Sequence, residues 1–526
     1  IIRHAKHLLW LPRIISFLGL CLISSLVILF IRDQKLIIQN KAIVRQLVET
    51  AEKESAISRR LYEFQRREAV LNEELDKSQG EVKNLGISIA SLAAENVQQK
   101  ESYQKELNDS LEKQRKIDEE LKYVAHRKEM LEAKYQAFQK KHVGIESAGL
   151  QQMVDWLKTH RNLRTGLIAS FEGDPSLEGW AFTYDQSLAC QVFLIFGDTK
   201  SAESILSFYA SRASKAGPAF YNAYDTTDGR AMENTVHVGP NVWLGIAALQ
   251  YDRRTDSERF LPLAKNLGDW IMGSQDAEGG LKGGPSMTWY STEHNLDAYA
   301  FLLMLYQETR EERYRESADK VLGWIVKYAY SSEDRRINRG KGDATIATDT
   351  FSWAIAALGP AKLTALSLNP EEIMAYVEKH CGVTVNYTQP EGKTVVVKGF
   401  DFARAQNVGR GGVISTEWTA QAIVTYKILA HYFNLLGEKE KALQYLQKSD
   451  FYLNELQKLI ITSPSRTGQG RGCLPYASID NADTGHGWRT PKGRRTGSVS
   501  GTAYGIFAWM GYNPFSFENA SVKNLQ

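Results

Sequence analysis

The sequence predicts an all-α fold: an (α/α)6 toroid of six inner and six outer helices, preceded by a transmembrane helix and a long coiled coil. Three observations carry this expectation. A small-residue-rich apolar helix, opened by a polar or acidic residue, recurs six times after residue 180. Helices with one charged face alternate with those repeats. Upstream, an uncharged apolar run is followed by a proline-free stretch whose apolar residues step by threes and fours.

The apolar run spans residues 14–31 and is flanked by Arg13 and Arg32. Its length suits a membrane-spanning helix. A cleaved signal peptide is the alternative, but the run is long for a signal core and no A-x-A-like site follows. Residues 1–32 are therefore expected to form a membrane anchor in a single-pass protein, with the C-terminal domain extracytoplasmic. Residues 33–142 contain no proline and two glycines, Gly80 and Gly86. Ile57, Leu61, Phe64, Leu71, Leu75, Val82, Leu85, Ile89 and Leu92, then Ile117, Leu121, Val124, Leu131, Tyr135 and Phe138, mark a heptad-like stripe. That spacing predicts a coiled-coil stalk and a homo-oligomer built through it. At about 1.5 Å per residue a continuous rod would reach on the order of 150 Å. One long charged helix folding back on itself fits the same pattern.

The repeats read TYDQSLACQVFLIF, PNVWLGIAAL, STEHNLDAYAFLLML, ATDTFSWAIAAL, STEWTAQAIVTYKIL and SGTAYGIFAWM. Aligned on Asp185, Asn241, Glu293, Asp349, Glu417 and Thr502, they lie 56, 52, 56, 68 and 85 residues apart. A period near 50 means stacked supersecondary units. These helices are nearly uncharged after their first turn, as buried helices are. The segments 146–160, 201–214, 256–274, 311–329, 370–380 and 438–460 are two-faced, as outer helices are. The barrel is expected over 143–515, with a tail at 516–526. Two insertions, 381–414 and 461–497, precede the fifth and sixth inner helices. In the first, VTVNY and KTVVVKGF flank a Pro-Glu-Gly turn and predict a β-hairpin.

Composition excludes several classes. The net charge of +3 gives no nucleic-acid signature. Cys21, Cys190, Cys381 and Cys473 are far apart, with neither a disulfide framework nor zinc-ligand spacing. GQGRG and GGLKGG lack the P-loop Lys-Ser/Thr and read as turns. No cofactor and no metal are expected.

The alternating architecture and the segments WAFTYDQ, GGPSMTWYSTEHN and CLPYAS resemble the six-hairpin (α/α)6 glycosidase superfamily over residues 146–515. The resemblance implies a polysaccharide or oligosaccharide partner, bound by the loops that enter the inner helices, and a carboxylate pair that does the chemistry. The Asp-rich motif of terpene cyclases and the Cys/His ligands of lanthionine cyclases, which share the toroid, are missing.

Glycoside hydrolysis needs one carboxylic acid to protonate the leaving oxygen and a second carboxylate to activate water or attack the sugar. Asp185, Glu293, Asp349 and Glu417 all open inner helices and should converge at one rim. Thr292-Glu293, Thr348-Asp349 and Thr416-Glu417 are also what ordinary helix caps look like. Glu293 is the first choice for general acid, because Trp289, Tyr290 and His294 beside it supply surroundings that raise a carboxyl pKa. Asp185, near Trp180 and Tyr184, is the choice for base, with Asp349 and Glu417 in reserve. Trp180, Tyr184, Trp289, Tyr290, His294, Trp418, His486, Trp488 and Arg489 are the candidate substrate contacts. A polysaccharide lyase using Tyr476, His294, His486 and Arg489, or a non-catalytic glycan-binding or scaffold head, are the competing readings.

Overall fold

The computed structural model describes residues 64–517 apart from 65–66, 69, 73, 92–95, 143–144, 390–391, 462–471 and 494–495. The chain divides into two compact units, Ile1–Ala56 and Ile57–Gln526; the first lies outside the described residues. The expectation of a single-pass membrane protein is corrected here. Among the described residues no helix is long and apolar enough to cross a membrane. The run at 14–31, on which that expectation rested, lies outside them.

The described part of the stalk folds back on itself. Helix α1 (Val97–His142) runs antiparallel to the helical residues 74–91. Arg67 meets Glu120 at 2.8 Å and Lys113 meets Glu81 at 4.0 Å. Leu71 is buried with Ile117 and Val124, against Phe64, Leu75 and Leu121. Part of the stripe expected to form a seam between chains is thus covered within one chain. The described residues show a helical hairpin here and do not show a continuous coiled-coil rod.

The remaining helices alternate as the pattern requires. The inner ones are α3 (Thr183–Ile195), α5 (Val238–Thr255), α7 (Thr292–Thr309), α9 (Thr348–Leu358), α11 (Thr416–Leu435) and α13 (Val499–Met510). The outer ones are α2 (Ile145–Thr159), α4 (Thr199–Ser211), α6 (Leu261–Gly273), α8 (Glu312–Trp324), α10 (Pro370–Cys381) and α12 (Lys439–Gln457). Each inner helix packs on the next, and α13 packs on α3, which closes the ring. Each of the first five inner helices carries the outer helix that follows it; α13 carries α2. The inner helices are buried on nearly every face because each is walled by two inner neighbours and one outer helix.

Two details shape the barrel. Gly245 sits where α5 crosses α7, and a Cβ there would strike the ring of Phe301, itself fully buried. Gly245→Ala is therefore expected to destabilise the fold by roughly 1–3 kcal/mol, measured as a lowered unfolding midpoint in urea. At the far end of the ring, Gln250 donates to the carbonyls of Pro514 and Ser516. That tie directs Phe515 inward against Trp243 (5.0 Å between centroids) and Trp353 (5.8 Å). The insertion after α10 forms the expected hairpin: β1 (Gly382–Thr388) pairs antiparallel with β2 (Thr394–Phe400), Thr388 opposite Thr394.

Candidate active site

The six inner helices start in one shared way. The backbone N–H groups of Thr183, Val238, Thr292, Thr348, Thr416 and Val499 donate to the carbonyls of Asn222, Gly283, Arg339, Phe402, Tyr476 and Ser170, respectively. Each acceptor lies in the loop that enters the next inner helix around the ring. The hydroxyls of Thr183, Thr292, Thr348 and Thr416 reach carbonyls of those same loops, at Tyr221, Asn338, Asp401 and Pro475. The threonines therefore bind the neighbouring loop and leave capping to Ser291, Ser415 and Ser498, which accept from His294, Trp418 and Gly501 N–H. The fourth residue of five helices locks the loop entering its own helix. Gln186, Asn241, Asn295, Thr419 and Thr502 bond the backbone of Ile168, Phe220, Leu281, Phe400 and Leu474.

This register corrects the sequence alignment of the openers. Asn241 and Thr502 are locking residues, and Asp185 is the third residue of its helix, not the second. The second residues are Tyr184, Gly239, Glu293, Asp349, Glu417 and Ser500. At 3.6 residues per turn one position is about 100° of rotation, enough to turn a side chain away from its supposed equivalents.

The second residues meet one another. Glu293 and Asp349 share a hydrogen bond. Two carboxyl oxygens can do so only if one carries a proton. Glu417 Oε1 accepts from Tyr184 O–H at 2.6 Å and from Gln421 Nε2 at 3.1 Å, and Ser500 supplies a further hydroxyl. The space opposite Gly239 is filled by the His294 ring, which a Cβ there would strike. Asp185 takes its hydrogen bond from Ser170 instead; its field is felt with Glu417 and not with Glu293. Glu293 and Glu417 do not fold back onto their own helix ends. Asp349 alone accepts a local backbone N–H, from Thr350 at 2.8 Å.

Burial drives the acidities of the group. It pushes Glu293 well above the ordinary carboxyl range, with Asp349, Asp297 and Glu417 adding to the effect. Asp349 is pushed up to about 7, against the Thr350 N–H and the Arg339 guanidinium, which favour its anion. Glu417 is also pushed up by burial to about 7, against the Tyr184 and Ser500 hydroxyls. Asp185 rises with burial to about 8. The proton of the Glu293–Asp349 pair therefore belongs to Glu293, because Asp349 has the donor and the cation. Glu293 is also partly exposed, whereas Asp185, Asp349 and Glu417 are buried.

The candidate substrate contacts separate into two sets. Trp289 is 45% exposed, and its ring lies 5.8 Å from both His237 and His294. Trp488 is 41% exposed, 5.5 Å from His486, and its N–H donates to Tyr476 O–H. Trp180 is half-buried on a short strand opposite Asp225, and Tyr184 is bonded to Glu417. The others are engaged elsewhere. Tyr290 donates to Asp276 at 2.6 Å and stacks on Trp324 of an outer helix. Trp418 is buried edge-on against Phe402. His486 is bonded to the Phe402 carbonyl, and Arg489 to Asn481 of its own loop. Asp401 is held by Arg410 through two 2.8 Å contacts and braces the same loops. Among the described residues no three His, Cys, Asp or Glu side chains could hold a metal ion.

Three residues near the cluster escaped the sequence reading. Asp297 lies one turn after Glu293 and is fully buried; a charge inside an otherwise apolar helix was its visible signal. Tyr504 faces Tyr184 and Glu417. Arg339 reaches His486 O at 3.3 Å and acts on Asp349. Nothing local in the sequence marks Tyr504 or Arg339.

No family model matches the sequence, and no curated protein matches it. Solved structures do. A sugar epimerase from a ruminal bacterium is 11% identical and covers 69% of this chain and 98% of its own, with a TM-score of 0.50. A glycosidase is 11% identical over 70% of this chain and 100% of its own, with a TM-score of 0.48. An α-mannanase of Bacteroides thetaiotaomicron is 10% identical over 71% of this chain and 96% of its own, with a TM-score of 0.47. At such identities the likeness is one of fold. The chain has an (α/α)6 toroid fold, with no specific family assigned.

Proposed function

We propose that the chain is a carbohydrate-active enzyme and, within that class, a glycoside hydrolase acting on a polysaccharide or oligosaccharide. The observation that carries this reading is the close contact of the Glu293 and Asp349 carboxyls beside Glu417, which Tyr184 and Gln421 hydrogen-bond. Glu293 is the general acid: partly exposed, and protonated near neutral pH, it can give its proton to the leaving oxygen. Asp349, ionised beside Thr350 N–H and Arg339, holds that proton on Glu293 until it is transferred. Glu417 is the second carboxylate, activating water or attacking the sugar, a role the sequence had suggested for Asp185. It interacts with Glu293 across space without bonding it. Trp289 and Trp488 offer exposed faces on which sugar rings stack.

The lyase reading has less support. Burial and Glu417 push the Tyr476 hydroxyl up, so it forms no phenolate base, and Arg489 is committed to Asn481. One observation favours a different second reading. His237 and His294 lie 6.3 Å apart; burial pushes both below the usual histidine value, and His294 to about 3. Two neutral imidazoles beside a sugar platform suit proton transfer at a carbon next to a carbonyl, as an epimerase or isomerase requires. Incubation with a panel of oligosaccharides in heavy water separates the readings. New reducing ends without carbon-bound deuterium support hydrolysis. Deuterium gained by an uncleaved sugar supports epimerisation, and neither product on any sugar supports the non-catalytic head.

A further inference from the structure

Asp297 takes no part in the reaction just described, yet it is the most deeply buried carboxyl of the cluster. It lies four residues after Glu293 on the same helix, so the two side chains project from one face. Trp353 Nε1 donates to its Oδ1 at 2.5 Å; its Oδ2 makes no hydrogen bond of good geometry, and the donor near it is the Trp243 indole N–H, which has no other partner. The groups that face it are Glu293 from its own helix, Asp349 from α9, Tyr504 from α13, and the indoles of Trp243 and Trp353. No cation is among them. An ionised carboxylate there would carry a full charge on two neutral indole N–H groups, only one of them well placed, beside a second acid and with no cation, in the fully buried interior. A proton on Oδ2 removes that charge.

Resting on the reading of Glu293 as proton donor, we propose that Asp297 is a positioning residue: a permanently neutral acid that fixes Trp353 beneath the site and limits the Glu293–Asp349 pair to one negative charge. The consequence for Glu293 is electrostatic. Around it stand Asp349 from α9, Glu417 from α11, Tyr184 from α3, Tyr504 from α13 and Asp297 from its own helix. An ionised Asp297 would add a second unscreened charge and bind the donor proton too firmly to be released. A cavity at Asp297 would do the opposite, because water entering beside Glu293 would ease its ionisation.

The test uses the full chain and two substitutions, Asp297→Asn and Asp297→Ala. Infrared spectra without substrate, taken as wild type minus Asp297→Asn at each of several values between about pH 5 and pH 9, should show a protonated-carboxyl band of constant intensity. Asp297→Asn, neutral and nearly isosteric, should keep kcat within about threefold and leave both limbs of the pH–rate profile in place. Asp297→Ala should move the alkaline limb down by about one pH unit at unchanged KM. A band that titrates away in this range overturns the proposal. So does a loss of more than about 100-fold in Asp297→Asn, or an unmoved limb in Asp297→Ala, which would mark a purely structural role. If Asp297→Ala does not fold, the infrared band and Asp297→Asn decide the matter. Wild-type protein that turns over no sugar sinks the hydrolase reading, while the infrared band, read without substrate, still decides the state of Asp297.

Discussion

Glu293→Gln is expected to lower kcat by roughly 10²–10⁴-fold while leaving KM almost unchanged. The amide keeps the volume of the side chain and can donate to Asp349 as the acid does, so the geometry of the pair survives. Only the transferable proton is lost. Initial rates of reducing-end formation on a productive oligosaccharide, measured over a range of concentrations, separate the two constants. Glu417→Gln should lose turnover to a similar degree, because an amide neither attacks nor activates water. Asp185→Asn should retain most of its activity. Normal turnover in Glu293→Gln would remove the acid from the mechanism, and an inactive Asp185→Asn with an active Glu417→Gln would return the second role to Asp185.

Asp185→Asn carries the largest expected gain in stability. Burial holds the proton on the Asp185 carboxyl up to about pH 8, against the Ser170 hydroxyl, which favours the anion. The unfolded chain releases that proton near pH 4. The stability associated with this group is thus complete below about pH 4 and is lost progressively as the pH rises toward 8. Asparagine has no proton to release, so it escapes the loss. At pH 8 the variant should be more stable by an amount on the order of 2–4 kcal/mol, and at pH 4 by almost nothing. Thermal midpoints of the two proteins at both pH values test this. A variant that is weaker at pH 8 would show that Asp185 is ionised and paired in the fold.

The ring itself was legible because burial on all faces leaves a plain mark: small and apolar residues with no charge after the first turn. The outer helices were legible for the converse reason, a charged face every third or fourth residue. The hairpin at 382–400 followed from alternation around a turn. The stalk was read only in part, since a heptad-like stripe does not say whether its partner is another chain or the same one. Leu71, Ile117 and Val124 answer that by packing together. At the site, Glu293 stood out by its aromatic company, and Trp289 lies 5.8 Å from His294, the residue after it. Asp185 was misplaced because an acid at the third helical position looks, in letters, like an acid at the second. Tyr290 and Trp418 were misjudged because an aromatic near an acid can face either the opening or the packing behind it. Asp297 stands one turn inside its helix, where the sequence carries no opening pattern to mark it.

The packing of α13 on α2 has a consequence for how the molecule assembles. The first outer helix, Ile145–Thr159, finds its inner partner only in Val499–Met510, more than 300 residues further along the chain. The other five hairpins are local and can form as soon as their residues meet. The sixth must bring the two ends of the toroid together and meets the largest loop entropy of the fold. Until it forms, the loop carbonyl of Ser170 and the N–H of Val499 lack each other, and the circle of backbone bonds at the rim is open at one place. Glu417 lacks Ser500 in that interval as well. Glu417 therefore acquires its full set of neighbouring hydroxyls in the same event that closes the ring.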